Sequence, residues 1–107
     1  DLSWAVQQFV ERNGFGVVRD YVGHGIGQAI HEDPQVPNFG KPGQGPKIEG
    51  GLVLAIEPMV TAGHHAVETL SDGWTVVTKD RRLASHYEDT VAFTKEGPVN
   101  LTGPEPV

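Results

Sequence analysis

Residues 52–60 read LVLAIEPMV, the most apolar run of the chain, and a carboxylate, Glu57, sits inside it just ahead of Pro58. The run from Leu52 to Thr61 reads as a strand. Pro58 has no N–H to give a ladder, so that strand must be interrupted, or lie at an edge, immediately after Glu57. An ionised carboxylate removed from water is costly unless it is paired, hydrogen-bonded or coordinating a metal. Two explanations are open: an interior carboxylate met by an arginine or backbone amides, and a metal ligand.

The flanking sequence supplies the other elements. DLSWAVQQFVERNG places Leu2, Val6, Phe9 and Val10 on one helical stripe, with Asn13 and Gly14 as a stop. It opens without methionine, directly in helical periodicity, which reads as the interior of a longer chain. Val17, Val18, Tyr21 and Val22 suggest a short strand running into the Gly-rich turn around GHGIG. Residues 33–51, with prolines at 34, 37, 42 and 46, read as a loop. AVETL and WTVVTKD, joined by Ser71-Asp72-Gly73, form a β-hairpin. HYEDTVAFT reads as one last strand, His86, Glu88, Thr90, Ala92 and Thr94 alternating with Tyr87, Asp89, Val91 and Phe93. A Pro-rich tail, 103–107, is expected to be disordered. One helix followed by antiparallel strands is an α+β arrangement, in which helix-on-sheet packing supplies the core.

Composition narrows the chemistry. A chain of 107 residues makes one domain. The formal charge of −6, with no basic patch, argues against direct binding to DNA or another phosphate backbone. There are no cysteines, so any metal must be held by His, Asp and Glu. No apolar run approaches the ~20 residues of a membrane span, and a cytoplasmic protein with no membrane partner is expected.

Three residues stand out as donors. His24 lies between Gly23 and Gly25, where missing side chains allow close approach of another group. Glu57 and Glu88 each sit in an apolar strand. Taken singly, a surface histidine, an interior paired carboxylate and an exposed strand carboxylate explain them as well. Taken together, one imidazole and two carboxylates form a hard donor set suited to divalent ions such as Mn, Fe or Co. His64 and His65, beside Gly63, read as a solvated loop, Lys79 to Arg82 as a solvated turn, and Trp74 as a core or rim aromatic.

The segments GHGIGQAIHEDPQVPNFG, IEPMV and SDGWTVVTKDRRLASHYEDTVAFT, in this order and spacing, closely resemble the C-terminal half of type I methionine aminopeptidases. The resemblance implies a pita-bread fold, its C-terminal half a helix packed on a curved antiparallel sheet, with residues 1–102 forming that half of the catalytic domain. It implies hydrolysis that removes the initiator methionine from nascent polypeptides, by water activated at two divalent ions (Co, Mn, Fe, Zn or Ni). His24, Glu57 and Glu88 would be metal ligands, Glu57 also helping to activate the water. His31 would contact substrate and stabilise the tetrahedral intermediate. Ile30 and Trp74 would line the methionine side-chain pocket. The implied partners are the N-terminus of a nascent chain, with the ribosome as a further one, and the N-terminal half of the same protein.

The family's site also uses two aspartates separated by ten residues. No aspartate among Asp1, Asp20, Asp33, Asp72, Asp80 and Asp89 has such a partner. The chain is therefore expected to be inactive alone. Two rival readings are an Xaa-Pro aminopeptidase or prolidase, disfavoured by SDGWTVVTKD and its short gap to HYEDT, and a non-catalytic binding module, disfavoured by the retained His24, Glu57 and Glu88.

Overall fold

The computed structural model describes residues 1–103. It holds one helix, α1 (Leu2–Arg12), and ten short strands: β1 (Gly16–Val17), β2 (Gly23–Gly25), β3 (Glu32–Val36), β4 (Val53–Ile56), β5 (Met59–Thr61), β6 (Val67–Thr69), β7 (Val76–Thr78), β8 (Ala84–His86), β9 (Asp89–Thr94) and β10 (Gly97–Asn100). Every strand pairing is antiparallel. Residues 104–107 of the expected tail lie outside the described residues. No helix among the described residues is long and apolar enough to cross a membrane.

The strand expected over 52–61 is present in two pieces, split at Glu57-Pro58 as the missing proline N–H requires. The two pieces enter different sheets. β4 is the centre of a five-stranded sheet in the order β10-β9-β4-β2-β3, and β5 is the centre of a three-stranded sheet, β1-β5-β8. The break at Glu57 is thus the crossover between sheets.

A second break answers the first. The strand read as continuous from His86 to Thr94 is also two strands, β8 and β9, separated at Tyr87-Glu88. β8 follows β5 into the small sheet, while β9 stays with β4. The Tyr87 N–H donates to the Pro58 carbonyl oxygen at 3.2 Å, so the two breaks are bonded to each other. Regular alternation through His86–Thr94 conceals this, because both pieces keep period two.

Two strands lie where turns and loops were expected. The Gly-rich GHG segment is β2, an interior strand of the five-stranded sheet, and Glu32–Val36 is its edge strand β3. Gly23 explains the first: a Cβ there would collide with the Ala55 carbonyl oxygen, so only glycine lets β2 sit against β4. β10, not anticipated, pairs with β9 after a turn at Lys95-Glu96. Asp89 ties it down, accepting from the Thr102 hydroxyl at 2.7 Å and the Asn100 amide at 3.0 Å.

The core is centred on the sheets more than on the helix. Val17, Leu54 and Ala55 are at most 2% exposed, with Val18 and Val36 beside them. Of α1, only Val10 is buried, and Phe9, on the expected apolar stripe, is 63% exposed. The helix stops as read, with Gly14 at φ +85°. The hairpin also forms as read, as β6 and β7, its turn closed by Gly73 at φ +73° and by Asp72 accepting from the Trp74 and Thr75 N–H groups.

Two outcomes follow for the stability of this fold. Leu54→Ala removes a fully packed side chain from the central strand and lowers the unfolding free energy by about 2–5 kcal/mol, measured by urea denaturation. The Thr102 and Asn100 hydrogen bonds, in that order, hold the Asp89 carboxyl below its usual value. A lowered folded-state value means stability that is complete above the usual carboxylate range and is lost as pH falls through the lowered one. Asp89→Asn flattens that acid limb of the thermal melting profile and speeds hydrogen exchange of the β10 amides.

Candidate metal centre

The two breaks put carboxylates where no ladder occupies the backbone. Glu57 follows β4, and Glu88 precedes β9, on neighbouring strands whose last pair is Ile56 opposite Asp89. His24 comes from the other side of β4, paired with Ala55. One ligand atom from each of His24, Glu57 and Glu88 lies within 4.8 Å of the other two. The sheet order β9-β4-β2 brings together three residues spread over 65 positions, 24 to 88.

His24 is held by its own strand. Its Nδ1 lies 3.0 Å from the Gly25 carbonyl oxygen. A carbonyl oxygen only accepts, so Nδ1 carries the hydrogen and Nε2 is the nitrogen turned to the cluster. Nε2 lies 3.2 Å from Glu57 Oε2. The register of β2 against β3 shifts between His24 and Gly25, a bulge that re-aims the side chain.

Glu57 is no arginine-paired core residue. The imidazoles of His24, at 3.2 Å, and His86, at 3.9 Å, are the basic side chains that face its carboxylate among the described residues. Burial raises its proton affinity above the usual carboxylate value, the facing Glu88 raises it further, and His24 and His86 oppose both. The Asn38 amide lies 3.5 Å from the Glu57 carbonyl oxygen; Asn38 is 1% exposed and its Oδ1 has no partner among the described residues.

The expected substrate residues fall less evenly. The His31 ring lies 4.2 Å from the His24 ring, centroid to centroid, and is exposed. Glu32 fixes that approach: its carboxylate accepts from the Ala29 N–H at 2.7 Å and closes the turn that carries His31. A cavity bordered by His24, His31, Glu32 and Gln35 opens beside the cluster. Ile30 and Trp74 do not line it; they are 73% and 88% exposed. Trp74 is therefore not a core aromatic. His64 and His65 stack on each other in a bend, and Asp80 caps both the His64 and Arg82 N–H groups, so these remain loop and turn as read. His86 is a neighbour of Glu57 that residue-type reasoning passed over, although its place on the Glu88 face of the alternation was visible.

The donor set fits a divalent ion of intermediate hardness: one imidazole nitrogen and two carboxylates, one of them largely buried, converge with like charges that no arginine among the described residues offsets. An antiparallel α+β fold carries this set at its strand breaks, an arrangement able to hold a divalent metal ion. The chain belongs to metallopeptidase family M24, whose model matches residues 1–95, and the fold is the family's pita-bread architecture. It is similar to the methionine aminopeptidase of Clostridium perfringens, 64% identical over 102 residues, covering 95% of this chain and 41% of that protein. Methionine aminopeptidase 1 of Bacillus subtilis is 55% identical over 97 residues, covering 91% and 39%. The crystal structure of a Thermotoga maritima methionine aminopeptidase superposes with a TM-score of 0.91 at 49% identity, covering 95% and 41%. The chain thus spans about two-fifths of the length of these relatives.

Replacing Glu57 separates the charge problem from its solution. With no metal, a raised folded-state value makes the carboxylate a liability once ionised, so stability falls as pH rises from the usual value through the raised one. Glu57→Gln removes that fall, and the metal-free variant melts at least as high as the parent at pH 7. Mn²⁺ or Co²⁺ should raise the melting temperature of the parent, and the same variant should lose that increase. Differential scanning calorimetry with and without metal reads both effects.

Proposed function

We propose that this chain is the C-terminal half, residues 1–102, of the catalytic domain of a cytoplasmic methionine aminopeptidase, with the N-terminus of a nascent polypeptide as substrate. The observation that carries the reading is the convergence of His24, Glu57 and Glu88 within 4.8 Å in a chain so similar to methionine aminopeptidases. These three residues would hold metal, and the rest of a two-ion site would come from the N-terminal half of the same protein. Divalent ions there would supply Lewis-acid polarisation and a water acidified toward neutral pH.

The protein groups act around that centre. Glu57, whose burial and facing Glu88 favour its protonated form, takes a proton from the attacking water at a carboxylate oxygen. His31, its ring tilted against that of His24 and open to the cavity, donates to the oxygen of the scissile carbonyl as charge develops on it. Ile30 and Trp74 give apolar surface for an unbranched thioether once substrate and the rest of the protein cover them. Emerging chains at the ribosome would meet the same opening.

The test is methionine release from a Met-Ala-Ser peptide by the natural polypeptide that contains this chain, stripped of metal and reloaded with Mn²⁺ or Co²⁺. Turnover should return with metal. His31→Ala should lower kcat by about 10²–10³-fold with metal affinity retained. The 107-residue chain by itself should show no turnover under the same conditions. Cleavage of Xaa-Pro peptides with none of Met-Ala-Ser would move the assignment to the proline-specific relatives. Absence of both, with no metal bound, would leave a binding module.

A further inference from the structure

His86 is the last residue of β8, and no role assigned so far uses its side chain. β8 pairs with β5 so that His86 stands opposite Met59, two residues beyond Glu57. The Tyr87 N–H to Pro58 carbonyl bond continues that pairing past the strand end and fixes the His86 backbone against the Glu57-Pro58 break. The result is a divided carboxylate: Glu57 Oε2 lies 3.2 Å from His24 Nε2, and Oε1 lies 3.9 Å from His86 Nε2. His86 is outside the set whose ligand atoms approach one another within 4.8 Å. It therefore faces the outer oxygen of Glu57 and not the centre of the cluster.

A carboxylate carries two equivalent oxygens, and rotation about its last bond exchanges them. Glu57 has no backbone ladder at this point to restrain it, since it lies between β4 and β5. Something must hold the carboxylate plane so that one oxygen stays turned inward. Groups that hydrogen-bond the outer atom of a ligating carboxylate do this elsewhere, and their loss typically weakens metal binding about 10–100-fold.

We propose that His86 is a positioning residue: its Nε2–H donates to Glu57 Oε1 and so holds Oε2 toward His24 and the metal. Closing 3.9 Å to hydrogen-bond range takes a movement of about 1 Å. The side chain is free to make it, being 42% exposed against 15% for Glu57. The role asks for a neutral N–H donor of the right reach and not for a charge. It rests on the reading of His24, Glu57 and Glu88 as metal ligands.

The experiment compares the natural polypeptide containing this chain with its His86→Phe and His86→Gln variants. Affinity for Mn²⁺ and Co²⁺ is measured by calorimetry, and ligand geometry by the visible absorption of the Co²⁺ form. His86→Phe should bind about 10-fold or more weakly with an altered Co²⁺ spectrum, and His86→Gln, whose amide can donate, should restore both. His86→Ala replaces the Phe variant if the latter does not fold. Unchanged affinity on loss of the imidazole would overturn this proposal alone, as would a loss that glutamine does not repair. No metal binding by the unsubstituted protein would overturn the ligand reading and this proposal with it.

Discussion

The arrangement depends on one constraint: a carboxylate that must be kept in an apolar sheet without a ladder to satisfy its backbone. Pro58 removes the N–H that would have continued β4, and the chain leaves one sheet for another at that point. The neighbouring chain must do the same or lose its partner, and it does so at Tyr87-Glu88. The bond between Tyr87 and Pro58 joins the two departures. Each departure carries a glutamate, so the crossover that solves a backbone problem also delivers two carboxylates to one place.

The third donor arrives by a different route. His24 belongs to a strand of glycine, histidine and glycine, a composition that intrinsic preference would not assign to a sheet interior. Close packing overrides preference here. With no Cβ at Gly23 or Gly25, β2 can lie against the Ala55 carbonyl on one side and the Asp33 carbonyl on the other. Side chains at those positions would push His24 away from the carboxylates. The glycines act as spacers of zero width, and the bulge after His24 sets its aim.

Much of this was legible in residue order, and the limits are physical. The break after Glu57 follows from proline chemistry, α1 from its 3.6-residue stripe and Asn-Gly stop, and the β6–β7 hairpin from Asp72-Gly73. The strand character of β2 and β3 did not show, because it comes from long-range pairing with β4 and not from the local residues. The break at Glu88 did not show either, since period two runs unbroken through it. Phe9 on the helix stripe reads as buried and Trp74 past the hairpin turn as a core or rim aromatic, but both are exposed. Apolar character states what a side chain would gain by burial, not whether this stretch of chain supplies the cover.

Electrostatics then decides what kind of ligand the cluster suits. Two like charges within 4.8 Å of each other repel by at least about 1 kcal/mol in bulk water and at least about 3 kcal/mol at an effective dielectric near 20. Glu88 is exposed, which keeps the pair toward the lower figure, while the burial of Glu57 pulls it upward. A single imidazole at 3.2 Å meets one oxygen of one of the two carboxylates. Protonating Glu57 relieves the repulsion but discards a ligand. A small cation of charge two would relieve it without loss, held by Glu57, Glu88 and the His24 Nε2, the Nδ1 hydrogen being taken up by the Gly25 carbonyl. The charge arrangement of the cluster would thus favour a divalent ion over an empty site, a bias set by the two strand breaks.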